Sequence, residues 1–250
     1  MLFRSVADYA LVAEGTGFGL CWVEAGKLWY KVTLTTTQPS IYTPYLPKRT
    51  TLAKSPNMIV AAAAAIEALE KWAADYEERQ VYQSPGGTVV AKAQIGAIRS
   101  GQPTRPFRSP ALCYLYLEVR ALPGQDPLAT RDEIHKLLTA LGLDNTVELY
   151  HYWRGYEAKG IERLADSVLR SHRAIFGEDP KPPFVETSSM WRDINIFNEV
   201  GIPALTYGPR PVAHALKHGL TIESLYQAAC AYARIAVDLC TQEKPPRAAR

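Results

Sequence analysis

Apolar and polar residues alternate from Leu28 to Thr35, which predicts a strand with one buried face. Apolar residues then recur at helical spacing from Met58 to Tyr76. Ser55 and Pro56 precede this segment and predict its N-cap and its first helical position. The first two elements are therefore a strand and a long helix.

The next four elements complete a recurring motif. Strands are predicted at about residues 88–97, 111–119 and 147–153, and a helix precedes the last of them. Thr130 and Glu133 predict a capping box at the start of that helix. The order strand, helix, strand, strand, helix, strand is that of the ferredoxin-like βαββαβ fold.

The flanking segments have a different, α/β pattern. A short apolar run at residues 10–13 enters a loop, a second buried strand is predicted at residues 204–207, and helices are predicted after residue 160 and after Thr221. These strands are too few for a complete sheet. We therefore expect a ferredoxin-like domain at residues 25–154, inserted into an incomplete α/β domain formed by residues 1–24 and 155–250.

Composition excludes two classes of partner. The net charge is only +3 and no basic patch is present, so no nucleic acid is expected to bind. The longest apolar stretch, Met58 to Ile66, is far shorter than the roughly 20 residues of a transmembrane helix, so no membrane is expected. The four cysteines lack metal-ligand spacing and are typical of free thiols in a cytoplasmic protein.

Three segments together resemble one enzyme family. They are Ala7 to Thr16 (ADYALVAEGT), Leu117 to Arg120 (LEVR), and a C-terminal series that contains Asp193, GIPA, YGP, His214 and IESL. This series is similar to that of the dizinc amidohydrolases and metallopeptidases: aminoacylases, glutamate carboxypeptidases, acetylornithine deacetylases and succinyl-diaminopimelate desuccinylases. The resemblance implies a ferredoxin-like dimerisation domain inserted into a zinc-peptidase-like catalytic domain.

The resemblance also implies metal ligands. By position, Asp8 or Glu14 would be the acidic ligand of one zinc ion, and His214 would bind the other. Each of these residues could instead have no role in metal binding. Asp8 could be a solvated residue at a strand entry, Glu14 a loop acid and His214 an exposed loop histidine.

Substrate contacts are implied for three residues. Arg120 and Arg154 match arginines with which the family holds substrate carboxylates, a task suited to the planar guanidinium group. Asp193 matches an acidic position of the family's C-terminal motif. Arg154 could equally be a strand-edge arginine in water.

In the family, the remaining zinc ligands and the catalytic glutamates lie upstream of the position of Asp8. No catalytic residue is therefore predicted in this chain, and we expect it to be an inactive C-terminal fragment of a longer enzyme. The parent enzyme would bind two zinc ions, with cobalt or manganese also possible, and use a metal-bound water to cleave amide or peptide bonds in small carboxylate-bearing molecules.

Two further expectations concern assembly and an alternative function. The ferredoxin-like domain implies a homodimer, since the family uses this domain for dimerisation. The alternative to an enzyme is a non-catalytic dimerisation or ligand-binding module of the same fold.

Overall fold

A computed structural model describes residues 7–38, 40–211 and 219–241. The strands are β1 (Ala10–Val12), β2 (Val23–Glu24), β3 (Gly26–Thr35), β4 (Val81–Ser84), β5 (Gly87–Val90), β6 (Lys92–Ser100), β7 (Leu112–Ala121), β8 (Asp144–Trp153), β9 (Tyr156–Glu157) and β10 (Ala204–Thr206). The helices are α1 (Met58–Arg79), α2 (Pro127–Ala140), α3 (Glu162–Phe176), α4 (Val185–Ser188), α5 (Ile194–Glu199) and α6 (Ile222–Thr241). The chain divides into two compact units.

The insert unit comprises Ala25–Tyr82 and Val90–Gly155. Its four-stranded sheet has the order β6-β7-β3-β8, and every neighbouring pair is antiparallel. Helix α1 packs on β6, β7 and β3, and α2 packs on β8. This order and these helix positions confirm the ferredoxin-like prediction.

Strict alternation of side chains builds the core of the insert unit. In β3 every second residue is buried, from Gly26 to Leu34, and the intervening residues are only partly buried. The same alternation runs along β7. Alanines 61, 62 and 65 are buried on α1, and such small side chains let a helix lie close to a sheet. One face of the sheet therefore carries the hydrophobic core.

The helix starts differ from the prediction. Helix α1 begins after Asn57, whose side-chain oxygen accepts a hydrogen bond from the Ile59 amide at 3.0 Å. The predicted N-cap Ser55 is wrong, because its hydroxyl accepts from the Asn57 amide and stabilises the preceding turn instead. Helix α2 likewise begins after Asp126, one turn before the predicted capping box at Thr130.

The catalytic-like unit comprises Met1–Glu24, Gln83–Val89 and Tyr156–Arg250. Strand β1 pairs in parallel with β10, and β2 pairs antiparallel with β9. Helices α3 and α6 pack together, and a hydrophobic cluster that includes Leu164, Leu205 and Ile235 forms the core. In the described part of this unit, each sheet has only two strands. The unit therefore has the incomplete α/β character that the sequence predicts.

The segment predicted as one strand at residues 88–97 is a hairpin strand followed by a sheet strand. Strand β5 pairs with β4, and β6 begins two residues later, after Ala91. The hairpin tip lies in the catalytic-like unit, where the Trp22 amide donates to the Gly86 carbonyl at 3.2 Å. Within the residues that the structure describes, no helix has the length and hydropathy needed to cross a bilayer.

Candidate functional site

The paired strands β1 and β10 end at the same edge because they are parallel. Val12 is opposite Thr206, and Glu14 lies two residues beyond the end of β1. The turn after β1 and the loop after β10 are joined by hydrogen bonds: Phe18 N donates to Gly208 O at 2.8 Å, and Gly208 N donates to the Thr16 hydroxyl at 3.0 Å. Ligands of open α/β sheets bind at this edge, so it is the candidate site.

Gly208 is required by the close approach of these two loops. A Cβ atom at this position would lie 2.1 Å from the carbonyl oxygen of Glu14, and this steric clash excludes every residue other than glycine. The neighbouring Tyr207 is buried, and its hydroxyl lies 2.8 Å from His172 Nδ1. Gly208 therefore lets the loop after β10 lie directly against the backbone of Glu14.

A buried arginine fixes the side chain of Glu14. Arg192 precedes α5, and its side chain is only 6% exposed. Its Nε atom donates to Glu14 Oε2 at 2.5 Å, and Nη1 donates to Glu24 Oε1 at 3.0 Å. The same guanidinium also donates to the Thr187 carbonyl and lies 3.1 Å from Met190 Sδ. We refer to Glu14, Glu24 and Arg192 as the charged triad.

Glu24 is the most deeply buried member of the triad. Its side chain is fully buried, and Oε1 also accepts a hydrogen bond from the Thr206 hydroxyl at 3.1 Å. Its Oε2 has no hydrogen-bond partner among the described residues. Burial raises the pKa of Glu24 to about 7, although the Arg192 guanidinium opposes this shift.

Cys21 lies next to the triad but is poorly suited to be a nucleophile. The residue is fully buried, and its Sγ donates to the Val23 carbonyl at 3.1 Å. Burial raises the pKa of Cys21 to about 12, and the Glu24 carboxylate adds to the shift. The group therefore stays a protonated thiol at neutral pH.

Glu14 retains coordinating capacity. Its side chain is 43% exposed, and within the described residues only Oε2 forms a hydrogen bond, so Oε1 is open to a further ligand. Because the pKa of Glu24 is about 7, the negative charge available to a cation near neutral pH lies mainly on Glu14. Among the described residues, no three His, Cys, Asp or Glu side chains converge on one point.

The other predicted acids lie elsewhere. Asp8 is exposed and precedes β1, so it lies at the amino end of the strand whose carboxyl end leads to Glu14. Asp193 is exposed at the start of α5, where its backbone carbonyl accepts from the Ile196 amide at 3.0 Å. His214 lies outside the described residues. Of these acids, the structure thus places only Glu14 at the candidate edge.

The predicted substrate arginines belong to the insert unit. Arg120 lies on β7, where its Nη2 is 2.6 Å from Glu118 Oε1 and both side chains are about a quarter exposed. Arg154 is exposed just after β8. Both lie near Lys27, because Lys27 is opposite Arg120 on one side and Trp153 on the other.

Sequence reasoning missed Glu24 and Arg192. Glu24 stands between Val23 and Ala25, and a lone acid between apolar residues is the available signal of a buried charge. Its partner is 168 positions away in sequence, so no local pattern connects the two residues.

The fold can be compared with solved structures, whereas no protein-family model matches the sequence. The chain is similar to aminopeptidase PepT from Bacillus cereus, with a TM-score of 0.66, 15% identity, and coverage of 95% of this chain and 59% of that one. It is similar to human carnosine dipeptidase 1, with a TM-score of 0.61, 11% identity, and coverage of 96% and 61%. It is also similar to an M20 family metallo-carboxypeptidase from Sulfolobus solfataricus, with a TM-score of 0.58, 16% identity, and coverage of 93% of this chain and 63% of that one.

The chain has the fold of these metallopeptidases. This likeness agrees with the family suggested by the three sequence motifs, and it extends over both units. At identities of 11% to 16% it establishes the fold alone. The chain spans about three-fifths of each solved protein.

Replacing the arginine of the triad should destabilise the protein strongly. Arg192→Met leaves the fully buried Glu24 without its cation, and such a loss costs roughly 3–5 kcal/mol of unfolding free energy. Arg170→Met is the matched control. Arg170 on α3 forms a surface ion pair with Asp238 on α6, and this pair should contribute about 1 kcal/mol or less to the free energy of unfolding. Urea denaturation measures both. An equal decrease in the free energy of unfolding of the two variants would contradict the importance of the buried pair.

Burial of Glu24 should leave a pH signature. Its pKa is about 7 in the folded protein and about 4.5 in the unfolded chain, so the folded state binds an extra proton between these values. The stability that this proton contributes is complete below about pH 4.5 and lost as pH rises through 7, a change on the order of 3 kcal/mol.

The isosteric variant Glu24→Gln cannot ionise, so its stability relative to wild type should increase as pH rises from 4.5 to 8. Urea denaturation across this range measures the difference. Glu162→Gln, at the exposed start of α3, is the control and should show no such trend. A difference between Glu24→Gln and wild type that is constant with pH would refute the assignment.

Proposed function

We propose that this chain contributes to a metal-dependent hydrolase of amide or peptide bonds in small carboxylate-bearing molecules. The observation that supports this most directly is the position of Glu14. Its carboxylate lies at the carboxyl ends of β1 and β10, is held by a buried guanidinium, and keeps one oxygen open. The fold is that of solved aminopeptidase, dipeptidase and carboxypeptidase structures.

In this proposal Glu14 and His214 are metal ligands of the chain. A carboxylate oxygen and an imidazole nitrogen are both suited to zinc, with cobalt or manganese as substitutes. His214 follows the end of β10 by eight positions in the sequence. Glu14 is preferred to Asp8 because Asp8 precedes β1. When bound, the metals would activate a water molecule for attack on the amide carbonyl.

Recognition of the substrate carboxylate is proposed for Arg120 and Arg154, and Asp193 is proposed as a contact to another group of the substrate. Arg120 already neutralises Glu118 at 2.6 Å, so binding a second carboxylate would require it to share its guanidinium. The runner-up proposal is a non-catalytic dimerisation or ligand-binding module. A metal measurement separates the two functions.

Metal binding should depend on Glu14 and His214. In the full-length protein that contains this chain, elemental analysis should find about two metal ions per chain. Glu14→Gln and His214→Ala should each lose about one ion and lower the hydrolysis of N-acyl amino acids or dipeptides by at least about 100-fold. Asp8→Asn is the control and should retain metal and activity. Loss of metal in Asp8→Asn but not in Glu14→Gln would reverse the assignment, and no metal in wild type would favour the module.

A homodimer through the insert unit is also proposed. Strand β6 is an edge of the four-stranded sheet, and unpaired strand edges favour association. Ile98 on β6 and Ile59 near the start of α1 are 50% and 48% exposed, so apolar surface is available beside this edge.

Sedimentation of the full-length protein at micromolar concentration should show a dimer. Ile59→Lys should shift it towards monomer, because a charge would be buried in the interface. The control Leu128→Lys changes an equally exposed residue on α2 and should leave the dimer intact. A wild-type monomer would exclude the proposal.

A further inference from the structure

The insert sheet carries aromatic rings on the face turned away from its hydrophobic core, which we call the open face. Along β3, Trp29 lies between two buried core residues, and along β7, Tyr116 does the same. Successive side chains of a strand point to opposite faces, so both rings lie on the open face. Because β3 and β7 are the two central strands of the sheet, the rings lie near its middle.

Neighbouring rings extend this pair into an aromatic cluster, which we define as Trp29, Tyr116, Tyr150 and His151. The Tyr150 ring centroid lies 5.9 Å from that of Trp29 and 6.2 Å from that of Tyr116. The His151 ring lies 4.8 Å from the Trp29 ring, and its buried Nε2 atom forms no hydrogen bond within the described residues. Tilted and edge-to-face contacts of this kind hold the rings relative to one another. The cluster therefore presents preformed aromatic surface.

A cavity of about 360 Å³ opens beside the aromatic cluster. Its lining includes Trp29, Gly96, Arg99, Tyr116, Glu118 and Tyr150. Gly96 leaves one wall without a side chain, and a Cβ atom there would meet only the Tyr116 carbonyl oxygen, at 3.8 Å. The volume falls in the range of roughly 300–1,000 Å³ that is typical of small-molecule sites. An aromatic ring of a ligand therefore has both space and ring partners here.

The charges around the cavity favour an anionic ligand. Arg99 lies with its guanidinium carbon 5.9 Å from the Tyr116 ring centroid, and within the described residues it forms no ion pair. The acid of the lining, Glu118, is 2.6 Å from Arg120 Nη2. These three charged side chains carry two positive charges and one negative charge, so one further carboxylate would balance them. A cationic ligand is disfavoured, because Arg99 and Lys27 already lie over rings of the cluster.

The spacing along β7 relates the rings to the proposed carboxylate contact. Tyr116, Glu118 and Arg120 alternate with core residues, so all three lie on the open face. Two residues of a strand span about 7 Å. In an aromatic amino acid, a methylene group and the α-carbon separate the ring from the carboxylate, which is a comparable distance. One such molecule can therefore contact the rings and an arginine together.

We propose that this cavity receives the aromatic side chain of the substrate, so that the hydrolase prefers amides or dipeptides whose free carboxylate belongs to an aromatic amino acid. The ligand ring would pack against Trp29 and Tyr116, and its carboxylate would lie between Arg99 and Arg120. The inference rests on the proposed function, because Arg120 is a proposed contact of the substrate carboxylate. Binding of the ring requires no hydrolysis, so the two can be tested apart.

Isothermal titration of the full-length protein tests the cavity with ligands that cannot be hydrolysed. The probes are 3-phenylpropionate, butyrate and 3-phenylpropanamide. A metal would attract the carboxylates of the first two equally, so the difference in their affinities reports the ring. We expect 3-phenylpropionate to bind at one site per chain, at least about tenfold more tightly than butyrate, which lacks the ring, and than the amide, which lacks the charge. Equal affinities for 3-phenylpropionate and butyrate would overturn the proposal.

Variants assign the ring selectivity to the cavity. Gly96→Leu should fill the space and weaken 3-phenylpropionate about tenfold or more. Thr33→Leu adds a similar side chain to the open face outside the lining and should bind as wild type does. Tyr150→Leu should weaken the same probe, whereas Tyr150→Phe keeps the ring and should restore its affinity. Circular dichroism verifies that each variant is folded. Unchanged affinity in folded Gly96→Leu, or equal weakening in Thr33→Leu, would refute the assignment.

Hydrolysis then separates this inference from the proposed function. In the metal-loaded full-length protein, kcat/KM for N-acetyl-L-phenylalanine should exceed that for N-acetyl-L-alanine at least about tenfold, and Gly96→Leu should reduce this ratio. Equal kcat/KM values would overturn the aromatic preference and leave the hydrolase intact. Selective binding of 3-phenylpropionate without hydrolysis of either amide would refute the proposed function and support the aromatic site.

Discussion

The charged triad is the interaction on which the catalytic-like unit depends. A guanidinium and a carboxylate that are both almost fully buried are stable only as partners, because burial penalises each charge alone. Arg192 comes from the segment before α5, Glu24 from β2 and Glu14 from the turn after β1. One arginine therefore links the two ends of this unit's sequence and also sets the direction of the Glu14 carboxylate.

The insert unit is stabilised in a different way. Its sheet needs no buried charge, because the alternation along β3 and β7 directs one set of side chains towards α1 and α2. One of its buried polar groups is the neutral hydroxyl of Tyr30, which donates to the Pro127 carbonyl at 2.7 Å. Hydrophobic burial thus defines the insert, whereas paired charges define the neighbourhood of the candidate site.

Local patterns predicted elements well and their boundaries less well. Period-two alternation identified β3 and β7. The helix predicted after Thr221 is α6, and the Thr221 hydroxyl accepts a hydrogen bond from the Ser224 amide at 3.1 Å. At α1 and α2, several residues were suitable caps, and the true ones were Asn57 and Asp126. Which candidate acts as the cap depends on how the preceding turn packs, and that information is not local.

The sequence by itself determined the ferredoxin-like order of elements and the α/β character of the flanking segments, because periodicity reports directly which face of an element is buried. The tertiary structure alone decided the surroundings of the candidate residues. It paired Arg192 with two distant carboxylates, and it joined the turn after β1 to the loop after β10 through the hydrogen bond from Gly208 N to Thr16. Such relations arise from contacts between distant residues, and no spacing along the chain encodes them.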